Sequence, residues 1–205
     1  NITVHTGGGG SVRVSGTIRA SKGWLGTDDV EKRIRYFEEH PPIEQNGDFI
    51  RIGNSADSEL QRHLSISYDL FVPAATRLHS RTGSGDQTIE GVRGPVNADT
   101  GSGTVKISKL GAEVHAETGS GEIDLNSVEG PVRASTGSGN IRAKGINSDL
   151  KATTGSGDVI VDESAANNVT VETGSGNVVI HGMRGALRVS TGSGDVTAQG
   201  EVDGD

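Results

Sequence analysis

The stretch "TGSGDVIVDESAANNVTVETGSGNVV" (Thr154–Val179) carries one four-residue word twice. Thr154-Gly155-Ser156-Gly157 returns as Thr173-Gly174-Ser175-Gly176, each time followed by a polar residue and a valine. The same word begins at Thr82, Thr100, Thr118, Thr136 and Thr191, so seven copies are spaced by 18, 18, 18, 18, 19 and 18 residues. A fixed period of this kind marks a stacked repeat architecture. Residues 81–205 read as seven regular repeats, and residues 1–80 as irregular N-terminal coils of one continuous solenoid over 1–205.

Aligning the copies exposes the period within each unit. Two residues after the second glycine stand Gln87, Val105, Ile123, Ile141, Val159, Val178 and Val196. Two further on come Ile89, Ile107, Leu125, Ala143, Val161, Ile180 and Ala198. Before each threonine lie Val96, Val114, Val132, Leu150, Val169 and Leu187, then Ala98, Ala116, Ala134, Ala152, Val171 and Val189. Alternation with period two describes strands with one buried face. The intervening column of Asn97, His115, Arg133, Lys151, Thr170 and Arg188 then faces water. A third side is marked by Val92, Leu110, Val128, Ile146 and Met183. No such unit closes a core alone, but parallel stacking about 4.8 Å apart buries a continuous aliphatic column. The expected fold is all-β: a single-stranded parallel β-helix, or β-solenoid, with ~18-residue coils and one short N-terminal helix as cap or flank.

The repeated word then belongs to a corner. Its ladder comprises Thr82, Gly83, Ser84, Gly85, Thr100, Ser102, Thr118, Ser120, Thr136, Ser138, Thr154, Ser156, Thr173, Ser175, Thr191 and Ser193. Three roles are expected. Glycine supplies positive φ and removes Cβ atoms that would clash between coils. Serine hydroxyls stack, each donating to the next. Threonine continues the inward parity and bonds corner backbone. The fifth copy is one residue longer near Ala165-Ala166-Asn167-Asn168, which reads as a bulge in a turn.

The first 80 residues keep a decayed form of the pattern. Ile2-Thr3-Val4-His5-Thr6 matches the strand before a corner, Gly7 to Gly10 takes the corner's place, and Ser11-Val12-Arg13-Val14 follows as the next strand. Asp28 with Glu31 forms a capping-box pattern, and Val30, Ile34 and Phe37 line one helical face, predicting a helix over about 28–39 with Trp24 and Leu25 packed nearby. Pro41-Pro42 stops it. Strands resume at Gly47-Asp48-Phe49-Ile50-Arg51-Ile52 and Leu64–Leu70.

Composition agrees. Apolar residues make up 31% and aromatics 3%, too few for an ordinary globular core, while the 32 glycines are about twice the usual share. All six aromatics (Trp24, Tyr36, Phe37, Phe49, Tyr68, Phe71) precede residue 72, since a narrow coil has no room for rings. Net charge is −8, and residues 81–205 hold 17 acids against 10 bases, which argues against nucleic acid as a partner. The absence of cysteine removes disulfide and thiolate chemistry. No run of 18 apolar residues offers a membrane span.

No catalytic, cofactor-binding or metal residue is assigned. The acids Asp86, Glu122, Asp158 and Asp195 share a corner column with Thr104, Asn140 and Asn177, which reads as a solvated edge rather than a general-acid pair. A calcium solenoid needs a nine-residue period with aspartate in consecutive turns, and neither holds. The histidines 5, 40, 63, 79, 115 and 181 form no local ligand pair. Gly-Ser-Gly lacks the spacing of a nucleophile elbow.

The run from Tyr68 through Val72-Pro73 and Leu78 to Thr82-Gly83-Ser84-Gly85-Asp86, followed by further Thr-Gly-Ser-Gly-Asp/Asn copies, resembles a bacterial adhesin-type family of unknown function. The likeness covers about residues 60–200. It implies a parallel β-helix in a bacterial envelope or exported setting, and it supplies no catalytic residues. The expected function is a non-catalytic cell-envelope or extracellular scaffold, adhesin-like, that binds a surface glycan or protein ligand. One alternative is a subunit stacking head-to-tail into filaments through bare β-edges such as Glu201-Val202-Asp203-Gly204-Asp205. Another is a polysaccharide-binding or polysaccharide-cleaving β-helix. Ice binding ranks last, because parity turns the threonines inward.

Overall fold

The computed structural model describes residues 1–20, 27–53, 64–162, 164–165 and 168–200, of which 27–30 by backbone alone. The Trp24–Leu25 packing, the side chain of Val30, the insertion at Ala166-Asn167 and the terminal Glu201–Asp205 segment lie outside the described residues. Chain order begins β1 (Ile2–Thr6), β2 (Arg13–Ala20), α1 (Thr27–Glu39), β3 (Ile43–Asn46), β4 (Phe49–Ile52) and β5 (Leu64–Val72). Then come β6 (Leu78–Thr82), β7 (Gln87–Glu90), β8 (Val96–Thr100), β9 (Val105–Leu110), β10 (Val114–Thr118) and β11 (Ile123–Val128). The series continues with β12 (Val132–Thr136), β13 (Ile141–Ile146), β14 (Leu150–Ser156) and β15 (Val159–Asp162). It closes with β16 (Asn168–Ser175), β17 (Val178–Met183), β18 (Ala186–Ser193) and β19 (Val196–Gly200).

Two compact units are formed, one of Asn1–Ser15 with Asp69–Asp205 and one of Gly16–Tyr68. The first is a β-solenoid. Its successive strands alternate between two parallel sheets, one ordered β18-β16-β14-β12-β10-β8-β6 and the other running from β19 through β17, β15, β13, β11, β9 and β7 to β1. The register follows the sequence period: Val114 pairs with Val132 and Val96, and Ile123 with Ile141 and Val105. The 19-residue fifth copy keeps this register, because Val159 pairs with Val178 and Thr154 with Thr173.

The core is the predicted aliphatic pillar. Val105, Ile123, Ile141, Val159 and Val178 have no exposed surface, and Val92, Leu110, Val128 and Ile146 close the third side equally tightly. Val196 departs from its column and is 47% exposed, as Leu187 is at 37%. Both belong to the last described coil, where no further described strand lies against β18 or β19 to cover them. Ser164 enters the third-side column at Ile146's position one coil on; it is buried, and its hydroxyl donates to the Ile146 carbonyl at 3.2 Å.

The first strand corrects the expected alignment. Ile2, Thr3 and Val4 pair with Gln87, Thr88 and Ile89, so β1 extends the sheet that follows the corner rather than the one that precedes it. Asn1, not Thr6, is the residue that fits the repeat. Its side-chain oxygen accepts from the Asp86 amide at 3.1 Å, as the corner residues above it do for their successors. Gly7 to Gly10 therefore do not take the place of the Gly-Ser-Gly corner, and Gly7 N–H donates to Val72 O at 2.9 Å.

In the second unit α1 spans Thr27–Glu39, close to the predicted range, with Phe37 buried and Ile34 half-buried. His40 N–H closes it on Tyr36 O at 2.8 Å before Pro41-Pro42. The hairpin β3–β4 is antiparallel, with Asn46 opposite Phe49, and Gly47 (φ 59) opens its two-residue loop. The strand predicted from Gly47 thus starts at Phe49 and gains a partner, β3, that the prolines before it concealed.

Candidate functional site

The corner explains which polar residues are committed to architecture. Thr100, Thr118, Thr136, Thr154 and Thr173 are buried. The Thr118 hydroxyl accepts from Gly121 N–H at 3.0 Å and donates to Gly103 O at 3.1 Å, joining two coils. Thr100 and Thr136 repeat both bonds, and Thr154, Thr173 and Thr191 repeat the donation. Thr82, in the first full copy, accepts from Gly85 at 3.2 Å.

Glycine acts here through space rather than φ. A methyl group at Gly101, Gly119 or Gly137 would overlap the carbonyl oxygen of the corner glycine one coil below, and so would one at Gly103, Gly121 or Gly139. Gly83, with open space beneath, would meet nothing within 4 Å. Among the corner glycines only Gly194 has φ in the left-handed range, at 142°, so the expectation of positive φ at this corner is corrected. The left-handed column lies at the second corner instead, at Gly91, Lys109, Ser127, Gly145 and Gly182, with φ of 80°, 55°, 57°, 64° and 64°.

The serine expectation is also corrected. Ser84, Ser102, Ser120, Ser138, Ser156, Ser175 and Ser193 are exposed, and no hydroxyl-to-hydroxyl bond forms among them. Strands about 4.8 Å apart hold equivalent hydroxyls too far from each other for a 2.8 Å bond.

The acidic corner column does more than face water. Asp86 Oδ1 accepts from Thr104 N–H at 2.9 Å, Asn140 Oδ1 from Asp158 N–H at 2.9 Å, Asp158 Oδ1 from Asn177 N–H at 2.7 Å, and Asn177 Oδ1 from Asp195 N–H at 3.0 Å. These side chains satisfy backbone donors at the turn of each coil.

Side chains not used for architecture point outward from the seven-stranded sheet. One column holds His79, Asn97, His115, Arg133, Lys151 and Thr170, and beside it stand Arg81, Asp99, Glu117, Ser135, Thr153 and Glu172. Arg81 Nη2 lies 3.3 Å from Asp99 Oδ2, His115 Nε2 3.7 Å from Glu117 Oε2, and Lys151 Nζ 3.6 Å from Glu172 Oε1. Exposed pairs of this kind contribute little to stability, about 0–1 kcal/mol. At the N-terminal half of the face the columns border an open depression of about 540 Å³, lined by Arg81, Asn97, Asp99, His115 and Glu117 among others. One ligand atom from each of Asp99, His115 and Glu117 lies within 4.8 Å of the others. This grouping escapes sequence motifs because Asp99 comes from a different coil than His115 and Glu117; superposing the outward columns at the 18-residue period would have found it.

Comparison with known proteins follows the solenoid. Residues 112–204 match the Toastrack DUF4097 family. The Toastrack match begins just before β10 and so takes in less of the chain than the expected 60–200, although the coils of residues 82–111 have the same register. Toastrack DUF4097 is a β-helix-like fold of unknown function. No curated protein and no solved structure matches the chain. No described helix is long and apolar enough to cross a membrane.

Proposed function

We propose that the protein is a non-catalytic, adhesin-like scaffold of the bacterial cell envelope or extracellular space, acting through the outward face of its seven-stranded sheet. The observation that carries this reading is a division of labour. Threonine, asparagine and aspartate at the corner are engaged with backbone, whereas the charged columns of the sheet face meet one another only in solvent-accessible ion pairs that a ligand could replace. Held at strand spacing on a close-packed pillar, these side chains form a preorganised lattice, and such a surface loses little entropy on binding an extended partner. The mixture of bases in one column and acids, with Arg81, in the other suits a polar ligand, a surface glycan or a protein face, better than a uniformly charged polymer. A glycan array probed with the purified chain should give saturable binding that falls when Arg133 and Lys151 are both changed to Ser. Silence across glycan and bacterial-surface arrays would overturn the reading.

A second reading, self-association along the solenoid axis, is favoured by the exposed Leu187 and Val196. Sedimentation velocity at rising concentration tests it: growing species that vanish in Val196→Lys support stacking, and a constant monomer opposes it.

A further inference from the structure

The depression on the seven-stranded sheet contains a grouping that its binding role does not require. Parallel in-register pairing sets Asn97 beside His115 and Asp99 beside Glu117, so β8 and β10 together present a two-by-two block on the outward face. The block offers two carboxylates, one imidazole and one amide oxygen. Asn97 Oδ1 is shielded from solvent and has no hydrogen-bond partner, an unmet acceptor beside the other three groups. Arg81 engages Oδ2 of Asp99 at 3.3 Å, and His79 stands 4.0 Å from that same oxygen.

We propose that Asp99, His115 and Glu117 bind one divalent first-row transition-metal ion, with zinc as the reference probe. Imidazole nitrogen with carboxylate oxygens suits zinc and its neighbours rather than calcium or magnesium, which take oxygen ligands. Ligands about 2.1 Å from a tetrahedral zinc lie about 3.4 Å apart, so donor atoms now within 4.8 Å of one another close by at most about 1.4 Å. Rotation of the His115 and Glu117 side chains, both substantially exposed, supplies that movement without disturbing the strands. Arg81 opposes the ion, since it competes for an Asp99 oxygen and brings positive charge.

Isothermal titration of zinc chloride into the tag-free chain tests the site independently of any glycan or surface binding. One ion should bind per chain. His115→Ala and Glu117→Gln should each weaken it at least about tenfold, and Arg81→Gln should tighten it. His181→Ala removes a separate outward His–carboxylate pair, at Asp162, and should leave affinity unchanged. Cobalt on the unsubstituted chain should show visible d–d bands that Glu117→Gln alters, which decides the matter should His115→Ala fail to fold. No saturable uptake, or equal affinity in Glu117→Gln and the unsubstituted chain, would overturn the proposal.

Discussion

The hydroxyl of Thr118 donates a 3.1 Å hydrogen bond to the carbonyl of Gly103, which belongs to the coil below. The same oxygen accepts the Gly121 amide of its own corner at 3.0 Å. Replacing Thr118 by Val keeps the shape but strands a buried acceptor and a buried donor, so stability should fall by about 2–3 kcal/mol. Thr118→Ser retains both bonds and should cost less than about 1.5 kcal/mol, through the lost methyl alone. Urea denaturation of the two variants measures the difference.

At the neighbouring position the Asp158 side chain caps the Asn177 amide at 2.7 Å. Asp158→Ala should cost about 1 kcal/mol, comparable to loss of a helix N-cap, while Asp158→Asn keeps the acceptor and should be near neutral. Amide exchange at Asn177 should quicken in the alanine variant and stay slow in the asparagine variant.

Ser127 and Gly145 occupy the left-handed column one coil apart, at φ 57° and 64°. A methyl at Gly145 meets nothing closer than 3.5 Å, so Gly145→Ala is disfavoured by backbone conformation alone, by about 1–2 kcal/mol. Ser127→Gly relieves the same strain and should be neutral to stabilising, by up to about 1 kcal/mol. Thermal melts should show a lowered midpoint for Gly145→Ala and an unchanged or raised one for Ser127→Gly.

Lys109 Nζ lies 2.7 Å from Glu90 Oε1. Its hydrogen bond, and then its charge, hold the Glu90 carboxyl below the usual carboxylate range, and the same contacts raise the Lys109 ammonium. The Glu90 contribution is present above its unfolded pKa and lost as pH falls through the depressed folded value. The Lys109 contribution is present below its unfolded pKa and lost as pH rises through the raised one. Both groups are exposed, so the visible effect is spectroscopic: the carbon-13 titration midpoint of Glu90 should rise in Lys109→Met, and high salt should reduce the shift.

Much of the architecture was legible because it is written as two superposed periods. The 18-residue spacing set the coil, and the two-residue alternation assigned Val105, Ile123, Ile141, Val159 and Val178 to the pillar. Threonine parity foretold the inward hydroxyl. What escaped were relations between coils that no single copy contains. The left-handed column holds Lys109 and Ser127 among glycines, so composition alone hid it. The Asp/Asn ladder looked like a wet edge because its partners are backbone amides of the next turn. Val196 matched its column in sequence but lacks a described coil above it. Asp99 became a neighbour of His115 and Glu117 only once the register was known.

Close approach of successive backbones at the Gly-Ser-Gly corner is the claim on which the rest depends, and a pair of alanine substitutions tests it most directly. Gly139 lies under the constraint, since a methyl there overlaps the Gly121 carbonyl, whereas Gly83 opens onto free space. Equilibrium urea unfolding should show Gly139→Ala destabilised by about 3 kcal/mol or more and Gly83→Ala within about 0.5 kcal/mol of the unsubstituted chain. Equal, small effects at both positions would contradict the stacked corner.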